Sequence, residues 1–159
     1  MKKVYQTIFE HEKGNCYQAI IASLLNLELS EVPHFMEEGN WIENVQAFMK
    51  QYGYGQGNYH VNPKRIGATS NEDYHLPDEL PLDMSVNGYF DAVVFSPSYF
   101  KEDIYRQTGA AACHAVICDK DYNIIHDPAP KYAGIVYPLS DELGKNGIVG
   151  VEYWKKTEL

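Results

Sequence analysis

Gly14-Asn15-Cys16-Tyr17-Gln18-Ala19-Ile20-Ile21-Ala22-Ser23-Leu24-Leu25 places a cysteine at the mouth of a helix. Gly14 and Asn15 are poor residues for a helix interior and good ones just before it, and the apolar run that follows suits a buried helix, predicted over 16–27. In the first turn, unpaired backbone N–H groups and the positive end of the helix dipole favour thiolate over thiol. Free cysteine is more often a small buried hydrophobe, so a nucleophile needs partners elsewhere.

A second stretch supplies them: Ala111-Ala112-Cys113-His114-Ala115-Val116-Ile117-Cys118-Asp119-Lys120-Asp121-Tyr122-Asn123-Ile124-Ile125-His126-Asp127-Pro128. Small and β-branched residues form a first arm, 119–123 is rich in turn formers, and Ile124-Ile125 begins a return arm that Pro128 stops. His114 and Asp127 then lie on neighbouring strands. A thiol nucleophile needs an imidazole to carry its proton, and the imidazole needs a carboxylate or amide to orient it. Cys16, His114 and Asp127 are therefore the expected catalytic residues. Strand alternation groups His114 with Val116 and Cys118, and makes His114 the base if that face meets the Cys16 helix. His126 points opposite to Asp127, which predicts a surface or supporting role. His11 is close to Cys16 in sequence but has no obvious orienting partner.

Cysteine on an early helix, then histidine and aspartate on later strands, resembles the papain-like cysteine peptidase superfamily. More closely, Gln6-Thr7-Ile8-Phe9, Gly14-Asn15-Cys16, Glu31-Val32-Pro33-His34-Phe35, His114-Ala115-Val116 and His126-Asp127-Pro128 are similar to small uncharacterised bacterial and phage proteins related to the bacteriocin-processing (double-glycine) peptidases. The resemblance implies a papain-like fold and a thiol hydrolase or transferase. It also implies an amide about six residues before the cysteine to help the cysteine N–H hold the oxyanion, yet Glu10 stands there. A carboxylate repels that developing charge. The alternatives are Gln6, preferred because the closer resemblance has its glutamine there, and Asn15.

At 159 residues the chain is expected to form one domain, residues 1–159. Its 45% apolar and 22% charged residues suit a globular protein without a membrane span, and a net charge of −9 disfavours nucleic acid and anionic membranes as partners. A peptide or protein substrate is expected, with no organic cofactor. The first residues lack the apolar run of a signal peptide, so a cytoplasmic location is the default. Three cysteines cannot all pair, and Cys113 and Cys118 point to opposite faces of one strand, so no structural disulfide is expected.

Further elements follow from periodicity. A short strand is predicted over 4–9, a helical turn capped by Ser30 over 31–35, and an amphipathic helix over 41–52 with Gly53 as its stop. Trp41, Val45, Phe48, Met49 and Tyr52 of that helix are expected to be core. Residues 54–88 read as a long irregular connection with one strand near 59–66, whose Tyr54, Tyr59, His60, Tyr74 and His75 either pack locally or line a cleft. Strands are predicted at 89–95, 134–139 and 147–154, and a short helix or lid at 99–107. Helices first and strands later predict an α+β domain with N-terminal helices packed on an antiparallel sheet.

Two other classes of function use the same residues. Cys16, His114, His126 and Asp127 are all zinc-type ligands, but the close paired spacings that build such sites on one element are missing, so no metal is expected. A papain-like scaffold whose thiol is silent would serve as a binding module; retention of all three catalytic residue types argues against it.

Overall fold

The computed structural model describes residues 1–8, 14–37, 39–61, 76–95, 113–129 and 146–157. The predicted elements at 99–107 and 134–139, together with Glu10, His11, Tyr74 and His75, lie outside the described residues.

The protein is α+β, with two helices packed against a five-stranded antiparallel sheet. Helix α1 spans Cys16–Leu24 and helix α2 spans Trp41–Gln51. The strands are β1 (Tyr54–Val61), β2 (Phe90–Phe95), β3 (Cys113–Cys118), β4 (Ile124–His126) and β5 (Ile148–Lys156), in the spatial order β1-β5-β2-β3-β4. Helix α1 is shorter than predicted because Asn26 adopts a left-handed φ of 57°. The Asn26 N–H then returns to Ser23 O and the Leu27 N–H to Ala22 O, the paired bonds that close a helix C-terminus. Gly53, with φ of 88°, stops α2 as its sequence position predicts.

Alternation along the strands divides the core in two. On the helix side, Ile20, Ile21 and Leu24 of α1 and Val45 and Met49 of α2 pack with Ala115, Ile117 and Trp154. On the opposite side, Leu80, Phe90, Val94, Val116, Cys118 and Val151 pack together. Each fully buried Ile or Leu contributes about 1.5–3 kcal/mol relative to exposure. These apolar contacts, rather than propensity, hold α1 in place.

Residues 4–8 form a strap and not the predicted strand, because their polar backbone groups meet side chains and isolated carbonyls in place of a neighbouring ladder. The Val4 N–H donates to Ser23 Oγ at 2.9 Å, the Val4 carbonyl accepts from His126 Nε2 at 2.6 Å, and the Gln6 N–H donates to Pro128 O at 2.9 Å. The strap thus ties α1 to the chain just beyond β4. Likewise, the predicted Ser30-capped turn is replaced by two short 3-10 turns, Leu29–Glu31 and Phe35–Glu37, the first closed by the Glu28 N–H on Glu31 Oε2 at 2.8 Å.

The connection after Gly53 is not irregular at its start: it enters β1 at once, and Tyr54 is buried in the helix-side core instead of lining a cleft. Turn chemistry fixes the β3–β4 hairpin. Asp119 Oδ1 accepts the N–H groups of Asp121 and Asn123, both at 2.9 Å, and Tyr122 takes a φ of 65°. His126 lies opposite Ile117 and ends β4, so among the described residues the first half of β3 has β2 on one side and no strand on the other.

Candidate active site

That open edge of β3 is where the three predicted catalytic residues meet. Helix α1 begins there with Cys16, β3 contributes His114, and Asp127 follows the last residue of β4. His114 Nε2 lies 2.7 Å from Asp127 Oδ1, and both side chains are largely buried. The sulfur of Cys16 is hydrogen-bonded by His114 and by the backbone N–H groups of Ala115 and Tyr17. With Nε2 committed to Asp127, Nδ1 is the ring nitrogen left for the sulfur. The Ala115 N–H is free to bind sulfur because β4 ends before reaching it.

Electrostatics follow from this contact chain. Burial alone pushes the Cys16 thiol up, but the His114 imidazolium and the two backbone N–H groups reverse the effect, so its pKa falls below the ordinary thiol value. For His114, burial opposes protonation, while the Asp127 carboxylate and Cys16 outweigh it and lift the pKa to about 9. The two shifts run in the same sense: each favours the charged form, thiolate on Cys16 and imidazolium on His114. Cys118, by contrast, is buried beside Asp91 and Asp119, and burial first and then those carboxyls push its thiol far above the ordinary range. Cys16 and Cys118 are both free thiols, and of these two the surroundings lower the pKa of Cys16 and raise that of Cys118.

The face of β3 that meets the helices is not the one on which alternation places His114. Ala115 and Ile117, not Val116 and Cys118, pack toward the helices. His114 reaches Cys16 because it stands near the start of β3, at the open edge, where α1 begins beside the strand end. His126 is not a surface residue either. It is 4% exposed, hydrogen-bonded to Val4 O and stacked edge-on with Tyr5, and burial lowers its pKa, so it holds the strap as a neutral ring.

Asn15, expected as an entry residue and as an alternative oxyanion donor, does stand at the N-cap of α1, but its side chain acts as a clamp. Its Oδ1 accepts the N–H groups of Thr7 and Ile8, each at 2.9 Å, and its Nδ2 donates to Thr7 Oγ1 at 3.0 Å and Gln18 Oε1 at 3.3 Å. Both amide hydrogens are thereby used. Gln6 is buried, with one Nε2 hydrogen on Ile8 O at 3.0 Å and its Oε1 unpartnered. Replacing Asn15 by Ala strands two strap N–H groups and is expected to destabilise the fold by about 1–3 kcal/mol, lowering the melting temperature by roughly 3–10 °C. Thermal denaturation followed by far-UV circular dichroism checks this; an unchanged melting temperature would show the clamp to be redundant.

Cys16 and His114 open onto a cavity of about 420 Å³. Tyr17, Trp41, Ile42, Val45 and Ala115 give it largely apolar walls. Trp41 is thus 37% exposed at a cavity wall, whereas Val45, also on that wall, and Met49 of the same predicted stripe are buried in the core. Two cavity residues escaped the sequence reading: Asp91 of β2 and Glu152 of β5, which face each other across the strand pair. The signal was present as a lone carboxyl inside each apolar strand run, Phe90-Asp91-Ala92 and Val151-Glu152-Tyr153.

Among the described residues no group of three or more His, Cys, Asp or Glu side chains is placed to hold a metal ion, and no helix is long and apolar enough to cross a membrane. Comparison with protein-family models, curated proteins and solved structures returns no match to this chain.

Proposed function

We propose that the chain is a papain-like thiol hydrolase that cleaves an amide or peptide bond through a covalent acyl-enzyme. The observation that carries this reading is the continuous chain of contacts from the Cys16 sulfur through His114 to Asp127, at the head of a helix and beside an apolar cavity. A residue set with only a packing role has no need for an activated thiol and a buried, oriented imidazolium.

In this mechanism the Cys16 thiolate attacks the substrate carbonyl carbon, forming a C–S bond and an oxyanion. The Cys16 backbone N–H, which lies in the first turn and has no intrahelical acceptor, and the second Nε2 hydrogen of Gln6 stabilise that oxyanion. The His114 imidazolium gives its proton to the departing nitrogen as the C–N bond breaks, leaving a thioester and a neutral ring. His114 then takes a proton from water, the resulting hydroxide displaces the sulfur, and the carboxylic acid leaves with thiolate and imidazolium restored. Asp127 orients the ring throughout.

An activated ester tests the proposal without knowledge of the natural substrate. Mixing the protein with p-nitrophenyl acetate is expected to release a burst of about one equivalent of p-nitrophenol and to add one acetyl group to the Cys16 peptide by mass spectrometry. Cys16→Ala abolishes both, and Gln6→Ala slows acylation by about 10- to 1,000-fold while leaving alkylation of the thiol by iodoacetamide unchanged. Folded protein that gives neither burst nor adduct would point to a binding scaffold with a silent thiol.

A further inference from the structure

The acidic pair beside the nucleophile has no part in the steps above. Asp91 and Glu152 are register partners on β2 and β5 and both line the cavity that holds Cys16 and His114. Tyr17, the residue after the nucleophile, donates its hydroxyl to Glu152 Oε1 at 2.6 Å. Asp91 is only 4% exposed, and its Oδ1 has no hydrogen-bond partner. The indole N–H of Trp154 approaches the same carboxyl but closes no hydrogen bond of ordinary geometry. A buried, unsatisfied carboxyl oxygen is costly, and this one stands between Phe90 and Ala92 on its own strand and opposite Ile117 on β3. Burial and then the adjacent Glu152 hold Asp91 well above the usual carboxylate range, and a cation seated between the two carboxyls relieves both effects.

The rest of the cavity narrows the class of ligand. Its apolar walls reject a compact ion but accept methylene groups, and Trp41 and Tyr17 present aromatic rings 5.9 Å apart beside it. An anionic ligand meets like charge, and a purely apolar one leaves Asp91 Oδ1 unsatisfied. A long aliphatic stem ending in several N–H donors fits both halves, which is the chemistry of lysine and arginine side chains. Resting on the thiol hydrolase reading of the same site, we propose that the substrate carries a lysine- or arginine-type side chain, its stem in the apolar part of the cavity and its cationic end at Glu152 and Asp91.

The test uses the full chain with Cys16→Ala, so that binding is read apart from chemistry. Both tryptophans of the protein, Trp41 and Trp154, lie at the cavity or against its acidic pair, so intrinsic fluorescence reports occupancy. Near neutral pH, n-hexylamine is expected to bind saturably and at least about ten-fold more tightly than 1-hexanol, a preference that Glu152→Gln or Asp91→Asn in the same background brings close to one. Equal binding of amine and alcohol overturns the proposal, as does an amine preference that survives both substitutions. Iodoacetamide alkylation of the unsubstituted protein separates the two levels. Amine preference with an ordinary, slow thiol sinks the hydrolase and keeps the cation pocket, whereas a fast thiol without amine preference does the reverse.

Discussion

His114→Ala is expected to cut the rate of Cys16 alkylation at pH 6 by at least about 100-fold, because the thiolate fraction falls ten-fold for each pH unit below the thiol pKa. In the native site burial is the largest influence on Cys16 and acts to raise its pKa; His114 is the main influence opposing it. Without the imidazolium, the Ala115 and Tyr17 N–H groups remain but no positive charge does, and burial wins. The alkylation profile of the variant therefore moves to higher pH, while that of the unsubstituted protein stays reactive below the ordinary thiol pKa. Rates of iodoacetamide labelling at Cys16, followed by mass spectrometry from pH 5 to 10, check this. Superimposable profiles for the two proteins would show that the sulfur does not depend on the ring.

Removing the carboxylate behind the ring has the second large effect. Asp127→Ala is expected to lower the acylation rate by about 10²–10⁴-fold, through lost orientation of His114 and a weaker proton donor. The sign of the pH effect follows from His114. Its pKa of about 9 exceeds the ordinary value of 6.5 because Asp127 and Cys16 overcome burial. Acylation needs the protonated ring to release the leaving nitrogen, so activity is lost as pH rises through about 9. Without Asp127 burial is opposed by Cys16 alone, the pKa drops, and the alkaline limb moves to lower pH. Asp127→Asn separates the two contributions: it keeps an acceptor at Nε2, so much of the orientation survives, but it removes the charge and shifts the limb. A pH profile of p-nitroaniline release from p-nitroacetanilide, whose leaving nitrogen needs that proton, distinguishes them, and an alkaline limb that stays in place in both variants would deny Asp127 its role.

Local physics explains which parts of this arrangement could be seen in the sequence. The start of α1 was legible because Gly14 and Asn15 precede an unbroken apolar run, and the stop of α2 because Gly53 is where a left-handed residue must sit. The hairpin carrying His114 and Asp127 was legible from Asp119 and Asn123 between β-branched arms. The strap at 4–8 was not, since its alternating pattern is that of a strand but its partners are Ser23, Asn15, His126 and Pro128, which no local signal reveals. Period-two reasoning also misplaced the face of β3: it ranks side chains relative to the sheet and says nothing of which end of a strand a helix approaches. Asp91 and Glu152 carry no strand signal because strand patterns reward the surrounding apolar residues, although a carboxyl in such a run is itself the anomaly.

The sulfur of residue 16 touches a ring that arrives 98 positions later, and that ring rests on an acid 13 positions beyond it. Contacts so remote along the chain form only when the whole tertiary structure closes. An unfolded or half-assembled molecule accordingly carries a thiol of ordinary acidity, unreactive in mildly acidic solution. Brief treatment with an electrophile at such a pH marks the completed molecules and spares the rest, which makes residue 16 a built-in tally of how much of a preparation has reached its native state.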